Sequence, residues 1–108
     1  MLDTTDLTAA VDRFADRLRA APQSRLQRGA AAEGLALARD LSVRAQRIEE
    51  PGSEPRIMPD AGLFSVADQL SVAGRDLAEA LRAAPPDAVA RLDEAVDLVR
   101  AAEERAAL

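Results

Sequence analysis

The chain has 108 residues, enough for one hydrophobic core and too few for two, and its formal net charge is −5. It contains 25 Ala and 14 Arg but no Lys, His, Cys, Trp or Tyr. Without His or Cys, the ordinary zinc sites, the Ser-His and Cys-His nucleophile pairs and a disulfide framework are all excluded. The negative charge disfavours general affinity for nucleic acid or anionic lipid, because binding phosphate groups needs a surplus of cations.

The same composition indicates a compartment and a fold class. No stretch approaches the ~18 consecutive apolar residues of a membrane span, and the first residues are acidic where a signal peptide is basic, so we expect a cytoplasmic protein. All basic residues are Arg and Ala is abundant, which indicates GC-rich codons and a bacterium with a high-GC genome. Ala, Leu, Arg and Glu favour helix, and aromatic residues make up only 2%, so the sequence predicts an all-α fold.

The first predicted hairpin covers residues 3–49 and consists of two helices. The first helix begins at the N-cap candidates Asp3, Thr4 and Thr5 and ends near Pro22, and the second runs from there to Glu49. Both carry an apolar stripe at spacings of three and four residues, which is typical of helices that pack on neighbours. The stripes are Leu7, Val11, Phe14, Leu18 and Ala21, and then Leu26, Ala30, Gly34, Leu37, Leu41, Ala45 and Ile48.

A loop over residues 50–59 separates this hairpin from a second one, predicted for residues 60–107. Helix-breaking residues define the loop: Pro51, Gly52, Pro55 and Pro59. Asp60 is placed to cap a third helix over residues 61–84, and Pro85-Pro86-Asp87 begins the fourth. Their apolar stripes are Leu63, Val66, Leu70, Ala73, Leu77, Leu81 and Ala84, and then Val89, Leu92, Val96 and Val99.

The two predicted hairpins resemble each other in sequence. Residues 7–22 align without gaps on residues 70–85, with eight of sixteen positions identical. The identities include a block that ends at the proline joint, Leu18 to Pro22 against Leu81 to Pro85. We interpret this as a duplicated helical hairpin whose two copies are related by a pseudo-two-fold axis.

Four amphipathic helices with short first and third joints predict an up-down-up-down four-helix bundle. The second predicted helix is longer than the first, so its last turns should extend beyond its partner. This overhang, the loop and the start of the third helix would place apolar side chains at one end of the bundle. Large bare apolar patches are uncommon on monomers, so we expect a homodimer or a complex with a helical protein partner.

The sequence therefore predicts a non-enzymatic interaction or regulatory module. Flexible Met and aromatic residues suit such a surface, and Arg adds a charged contact at its rim. The candidate partner-binding residues are Val43, Ile48, Arg56, Ile57, Met58, Phe64 and Val72. Clustered carboxylates at 93–97 and 49–54 fall on polar faces or in the loop rather than in a pocket, so we expect no catalytic residue, metal or cofactor.

Residues 37–48 support an alternative function as a DNA-binding transcriptional regulator. They resemble the core of a helix-turn-helix, with a small turn residue at Ser42 followed by Val43 and, five residues later, Ile48. This resemblance implies that Val43 is buried, whereas the bundle leaves it exposed. Ser42 stands where the motif prefers Gly, and Pro51 ends the recognition helix of the motif early. The net negative charge of the chain also disfavours a nucleic-acid partner.

Two further resemblances are partial. Residues 62–66 are similar to the Gly-x-Asp-Ser-Leu site of acyl carrier proteins, which implies a phosphopantetheine arm on Ser65, but Phe64 replaces the Asp of the motif. The short acidic chain is also similar to the helical-hairpin substrates of type VII secretion. It lacks Trp and Tyr, and therefore both the Trp-x-Gly turn and the Tyr-containing export signal of that family.

Overall fold

Four long helices form the structure, a computed structural model that describes residues 2–83 and 85–108. They are α1 (Thr5–Ala20), α2 (Ala31–Glu49), α3 (Val66–Arg82) and α4 (Ala88–Ala106). The described residues contain no strand, so the predicted all-α class and four-helix bundle are confirmed. None of the described helices combines the length and the apolarity that a bilayer crossing requires. Ala84, the last residue of the third predicted stripe, lies outside the described residues.

Local chemistry sets both ends of α1. At its start the Asp3 carboxylate accepts a hydrogen bond from the backbone N–H of Thr5, with 2.9 Å between Oδ1 and N. Hydrogen bonding from the Thr5 side chain, followed by that from its backbone N–H, favours the charged carboxylate and lowers the pKa of Asp3 from its ordinary value. The helix ends at Ala20 because Ala21 is extended, the conformation that a residue before proline prefers.

The second predicted helix is not continuous. One α-helical turn, Gln23–Arg25, leads into a π-helical segment, Leu26–Ala30, before α2 begins. Within that segment Gly29 has a φ of 149°, a backbone conformation that glycine adopts without steric strain. The apolar spacing predicts regular helix through this stretch, whereas the chain bends there.

The helices run up, down, down and up, which differs from the predicted up-down-up-down order. α1 and α3 are antiparallel, because Arg19 near the end of α1 pairs at 2.9 Å with Asp68 near the start of α3. α2 and α3 are parallel. Gly34, near the start of α2, lies against Val66 at the start of α3, and the last turn of α2 lies beside residues 76–79 of α3.

The helices joined by Pro22 and by Pro85 lie on the diagonals of the bundle. α1 and α2 each pack mainly against α3 and α4, and only slightly against each other. The two predicted hairpins, residues 3–49 and 60–107, are therefore interleaved rather than packed as separate pairs.

A crossover loop, residues 50–62, makes the parallel packing of α2 and α3 possible. α2 has 19 residues and so a length of about 28 Å, which an extended chain covers in about nine residues. The loop opens with a turn at residues 51–53, in which the N–H of Ser53 bonds to the carbonyl of Glu50. After it, Pro55 and Pro59 fix φ and lack an amide hydrogen, so the chain stays out of helix there. A 3-10 turn, Leu63–Ser65, then leads into α3, which begins later than the predicted residue 61.

The predicted apolar overhang does not form. The four helices have 16, 19, 17 and 19 residues, so none extends far beyond the others. Ile48 lies at the end of α2, whereas Phe64 precedes the start of α3. Because α2 and α3 are parallel, these two residues lie at opposite ends of the bundle. The error follows from assuming that a loop between consecutive helices is a tight reversal.

Two glycines allow α3 to approach its neighbours closely. A Cβ at Gly74 would lie 2.7 Å from one γ-carbon of Val11 in α1 and 2.8 Å from the other. A Cβ at Gly34 would lie 2.7 Å from a γ-carbon of Val66 and 3.0 Å from a δ-carbon of Leu18. Since real Cβ contacts are longer than this, each glycine permits a helix separation that alanine would widen.

The contact between Val11 and Gly74 lies on an internal two-fold axis. In the alignment of residues 7–22 on 70–85, Val11 and Gly74 are equivalent positions. Equivalent positions of two copies meet in this way only where a two-fold axis passes between them.

The ion pairs between α2 and α4 follow the same symmetry. Arg44 Nη2 lies 3.2 Å from Glu94 Oε1, and Arg105 Nε lies 3.0 Å from Glu33 Oε2. Aligning Glu33 with Glu94 also aligns Arg44 with Arg105. Each ion pair is therefore the two-fold image of the other, and α2 and α4 are antiparallel.

Burial repeats in the same register. The five buried residues of α1 are all buried at the equivalent positions of α3, and the six buried residues of α4 are all buried at the equivalent positions of α2. Between Pro22 and Glu33 the first half of the chain has two more residues than the second half has between Pro85 and Glu94. The two extra residues coincide with Gly29 and Ala30 of the π-helical segment. The bend thus accommodates a local difference between otherwise equivalent halves.

We expect Gly74→Ala to lower the free energy of unfolding by about 1 kcal/mol, because displacing the stiff Val11 side chain outweighs the gain in helix propensity. In a Val11→Ala background the same substitution should be neutral or stabilise by up to about 1 kcal/mol. Urea unfolding of the four variants measures this coupling. Gly52→Ala is the matched control, since its Cβ would meet nothing within 4 Å. Equal effects of Gly74→Ala in both backgrounds would contradict the close contact.

Candidate functional site

The crossover loop carries three of the predicted contact residues and lies in the groove between α2 and α3. Arg39 Nε of α2 donates a hydrogen bond to the carbonyl of Met58 at 2.7 Å. Gln69 Nε2 of α3 donates to the carbonyl of Pro59 at 2.9 Å. The loop is thus fixed to both helices, and the side chain of Met58 is half-buried against the core.

The side-chain amide of Gln46 holds the middle of the loop. Its Nε2 donates to the carbonyl of Arg56 at 2.8 Å, and its Oε1 accepts from the backbone N–H of Arg56 at 2.8 Å. One side chain therefore satisfies both backbone groups of a residue that has no helix or strand to do so. Arg56 itself reaches Glu50 across the loop, with 3.6 Å between Nη1 and Oε2.

The seven predicted contact residues divide into an exposed and a half-buried group. The exposed residues are Phe64 at 74%, Ile57 at 63% and Val72 at 49%, together with Arg56. The half-buried residues are Val43, Ile48 and Met58, and the last two pack against the core. Only the exposed group is available to a partner without rearrangement.

Ile57, Phe64 and Val72 lie along the outer side of α3, and we call this surface the contact face. Ile57 stands beside Asp76 and Glu79 of α3 around an open cleft of about 460 Å³. Val72 shares a helix face with these two residues, one turn and two turns away from them. Phe64 lies in the 3-10 turn that leads into the same helix. Val89, the one other large hydrophobic side chain exposed among the described residues, lies in the first turn of α4 instead.

Charges of both signs surround the contact face. Asp68, Asp76 and Glu79 are exposed on the same side of α3 as Val72, one or two turns from it. Two exposed cations lie near these carboxylates. Arg75 precedes Asp76 in α3, and Arg56 of the crossover loop lines the same cleft as Asp76 and Glu79. Asp68 lies between Phe64 and Val72 along the chain, and Asp76 and Glu79 stand beside Ile57, so the apolar side chains of the contact face alternate with charges of both signs.

The helix-turn-helix geometry is absent. Residues 37–48 lie within the continuous helix α2, and the predicted turn residue Ser42 accepts a hydrogen bond from Gln46 at 3.2 Å as an i, i+4 pair. Val43 is half-buried, whereas the helix-turn-helix implies that it is buried and the bundle that it is exposed. The resemblance arose because the apolar spacing of such a motif also occurs along one unbroken helix.

The structure places the remaining chemical candidates on or near the surface. Ser65 lies at the start of α3, as the resemblance to acyl carrier proteins implies, and is half-buried there. Asp93, Glu94 and Asp97 are exposed on α4. Within residues 2–83 and 85–108, no group of three or more acidic side chains is close enough to hold a metal ion.

Sequence reasoning missed a group of arginines between α2 and α4. Arg44 and Arg47 of α2 and Arg91 of α4 line one cleft. Burial lowers the pKa of Arg44, but its hydrogen bonds to Glu94 and Asp40 outweigh this and leave that pKa raised. In the sequence Arg44 and Arg47 stand out only as the pair that a helix-turn-helix would present to DNA, whereas Arg91 comes from a helix whose packing partner the sequence did not reveal.

Comparison with the models of known protein families, with curated proteins and with solved structures finds no match for this chain.

We expect Gln46→Ala to loosen the crossover loop, because both backbone groups of Arg56 then lose their partner. Amide exchange at Arg56 should accelerate at least about tenfold, and trypsin should cut the bond after Arg56 faster. Hydrogen exchange and limited proteolysis measure these effects. Gln27→Ala, an exposed position that precedes α2, is the control and should change neither rate. An unchanged cleavage rate in Gln46→Ala would show that the loop is held by other contacts.

Proposed function

We propose that this protein is a non-enzymatic interaction module that forms a homodimer through the contact face. The observation that carries the proposal is that Ile57, Phe64 and Val72 are three of the four large hydrophobic side chains exposed among the described residues, and lie along one helix. The compartment proposed with it is the cytoplasm, as expected from the sequence. The proposal keeps the predicted self-association and moves it from the end of the bundle to its side.

A second copy of the chain suits the charges of this surface. In a two-fold dimer the same patch meets itself, so a rim that carries one sign of charge would repel its copy. The contact face has Arg56 and Arg75 beside Asp76 and Glu79, so a rotated copy can place guanidinium groups opposite carboxylates. Such charge pairs favour the correct register, while the apolar side chains supply most of the affinity.

Few large side chains take part, so the dimer should be weak. The contact face has one aromatic and two aliphatic residues, fewer than a stable obligate interface contains. We therefore expect reversible association that increases with concentration, as a regulatory contact requires. A helical partner protein on the same face is the other occupant that the experiment below distinguishes.

Sedimentation equilibrium over a wide concentration range tests the proposal. The wild-type chain should show a monomer–dimer equilibrium, and Ile57→Ser combined with Phe64→Ser should raise the dissociation constant by about thirtyfold, roughly 2 kcal/mol. Val89→Ser is the control, because Val89 is as exposed as Ile57 but lies on α4. Circular dichroism checks that all variants stay folded.

Two outcomes would overturn the dimer. One is a wild-type chain that stays monomeric at the highest concentration, which would leave the contact face to a different protein. The other is equal weakening by Val89→Ser and by the double variant, which would place the association elsewhere or make it unspecific.

A further inference from the structure

A cleft between α2 and α4 has the composition of a binding site for a small organic anion and is separate from the contact face. It has a volume of about 180 Å³ and is lined by Asp40, Arg44, Arg47, Ile48, Leu77 and Arg91. The three arginines come from two helices that pack antiparallel, so their guanidinium groups approach the cleft from both sides.

The charges in this cleft do not balance. Arg44 is neutralised by Asp40 at 2.9 Å and by Glu94 at 3.2 Å. Among the described residues, no carboxylate oxygen lies within 4.0 Å of a side-chain nitrogen of Arg47 or Arg91. Three guanidinium groups therefore face two carboxylates. This surplus of one positive charge stands out in a protein with a net charge of −5.

Two of the six residues that line the cleft, Leu77 and Ile48, are apolar. Leu77 is almost fully buried, and Ile48 is half-buried against the core. A protein cavity of ~150 Å³ lined by apolar side chains holds a molecule of the size of benzene. The cleft therefore has room for a molecule of about six to nine non-hydrogen atoms, with an apolar part on the wall and a charged part at the rim.

The internal two-fold axis provides a comparison within the same chain. The equivalents of Arg44 and Arg91 are Arg105 and Arg28, and both line a second cleft at the other end of the α2–α4 contact. In that cleft small residues, Gly29, Ala30, Ala106 and Ala107, stand in place of a wall of large apolar side chains. Symmetry thus explains the paired arginines in both clefts, but it does not explain why only one has an apolar wall.

We propose that the cleft at Arg47 and Arg91 binds a small organic monocarboxylate. The carboxylate bonds to the two guanidinium groups that lack a carboxylate partner, and the aliphatic or aromatic part packs against Leu77 and Ile48. A single negative charge on the ligand balances the surplus of the cleft, and guanidinium groups are well suited to the planar carboxylate.

Titration of the folded chain with three probes tests the proposal, with calorimetry for affinity and NMR for location. Hexanoate should bind with a stoichiometry of one and shift the amide signals of residues around Arg47 and Arg91. Hexan-1-ol, which lacks the charge, and inorganic phosphate, which lacks the apolar part, should each bind at least about tenfold more weakly. Because the cleft and the contact face are separate, this test is independent of the dimer.

Matched variants locate the two parts of the site. Arg47→Gln combined with Arg91→Gln should weaken hexanoate at least about tenfold, and Ile48→Ser should weaken hexanoate but not phosphate. Arg100→Gln is the control, since Arg100 is exposed on α4 and does not line the cleft. Undetectable hexanoate binding, equal binding of hexanoate and hexan-1-ol, two equivalent sites, or unchanged affinity in the double arginine variant would each overturn the proposal.

Discussion

The close approach of α3 to its two neighbours is the constraint on which the rest of the structure depends. Gly74 admits Val11 of α1 on one side of α3, and Gly34 of α2 admits Val66 on another. Dispersion attraction falls steeply with distance, so these short separations bring many atoms into contact at once. Because α1 and α2 are both held against α3, α4 packs in the groove that remains between α1 and α2.

This arrangement also determines the crossover loop. With α2 and α3 side by side and parallel, the chain must travel back along α2 before α3 can begin. A tight turn would have produced antiparallel neighbours and a different core. Pro55 and Pro59 keep that stretch out of helix. The side chains of Arg39, Gln46 and Gln69 supply hydrogen bonds to a segment that has no partner helix or strand.

The sequence was sufficient for the helices but not for their order in space. Apolar spacing identified all four, and the stripe residues Leu7, Phe14, Leu70 and Leu77 are buried as predicted. Spacing within a helix, however, carries no information about the direction of its neighbour, so the parallel pair was missed. The contact residues show the same division: Ile57, Phe64 and Val72 are exposed, but their grouping along α3 depends on where the crossover loop runs.

Symmetry bears on where function resides in this molecule. Contacts that repeat under the two-fold axis, such as the pairs Arg44–Glu94 and Arg105–Glu33, follow from having two similar halves and need no functional reason. Features present only once require another cause. The crossover loop has no equivalent because it joins the halves, and the apolar wall at Ile48 and Leu77 has no equivalent in the second cleft. Both proposed surfaces lie at such places, where the second half of the chain does not provide a matching copy that would compete for the same partner.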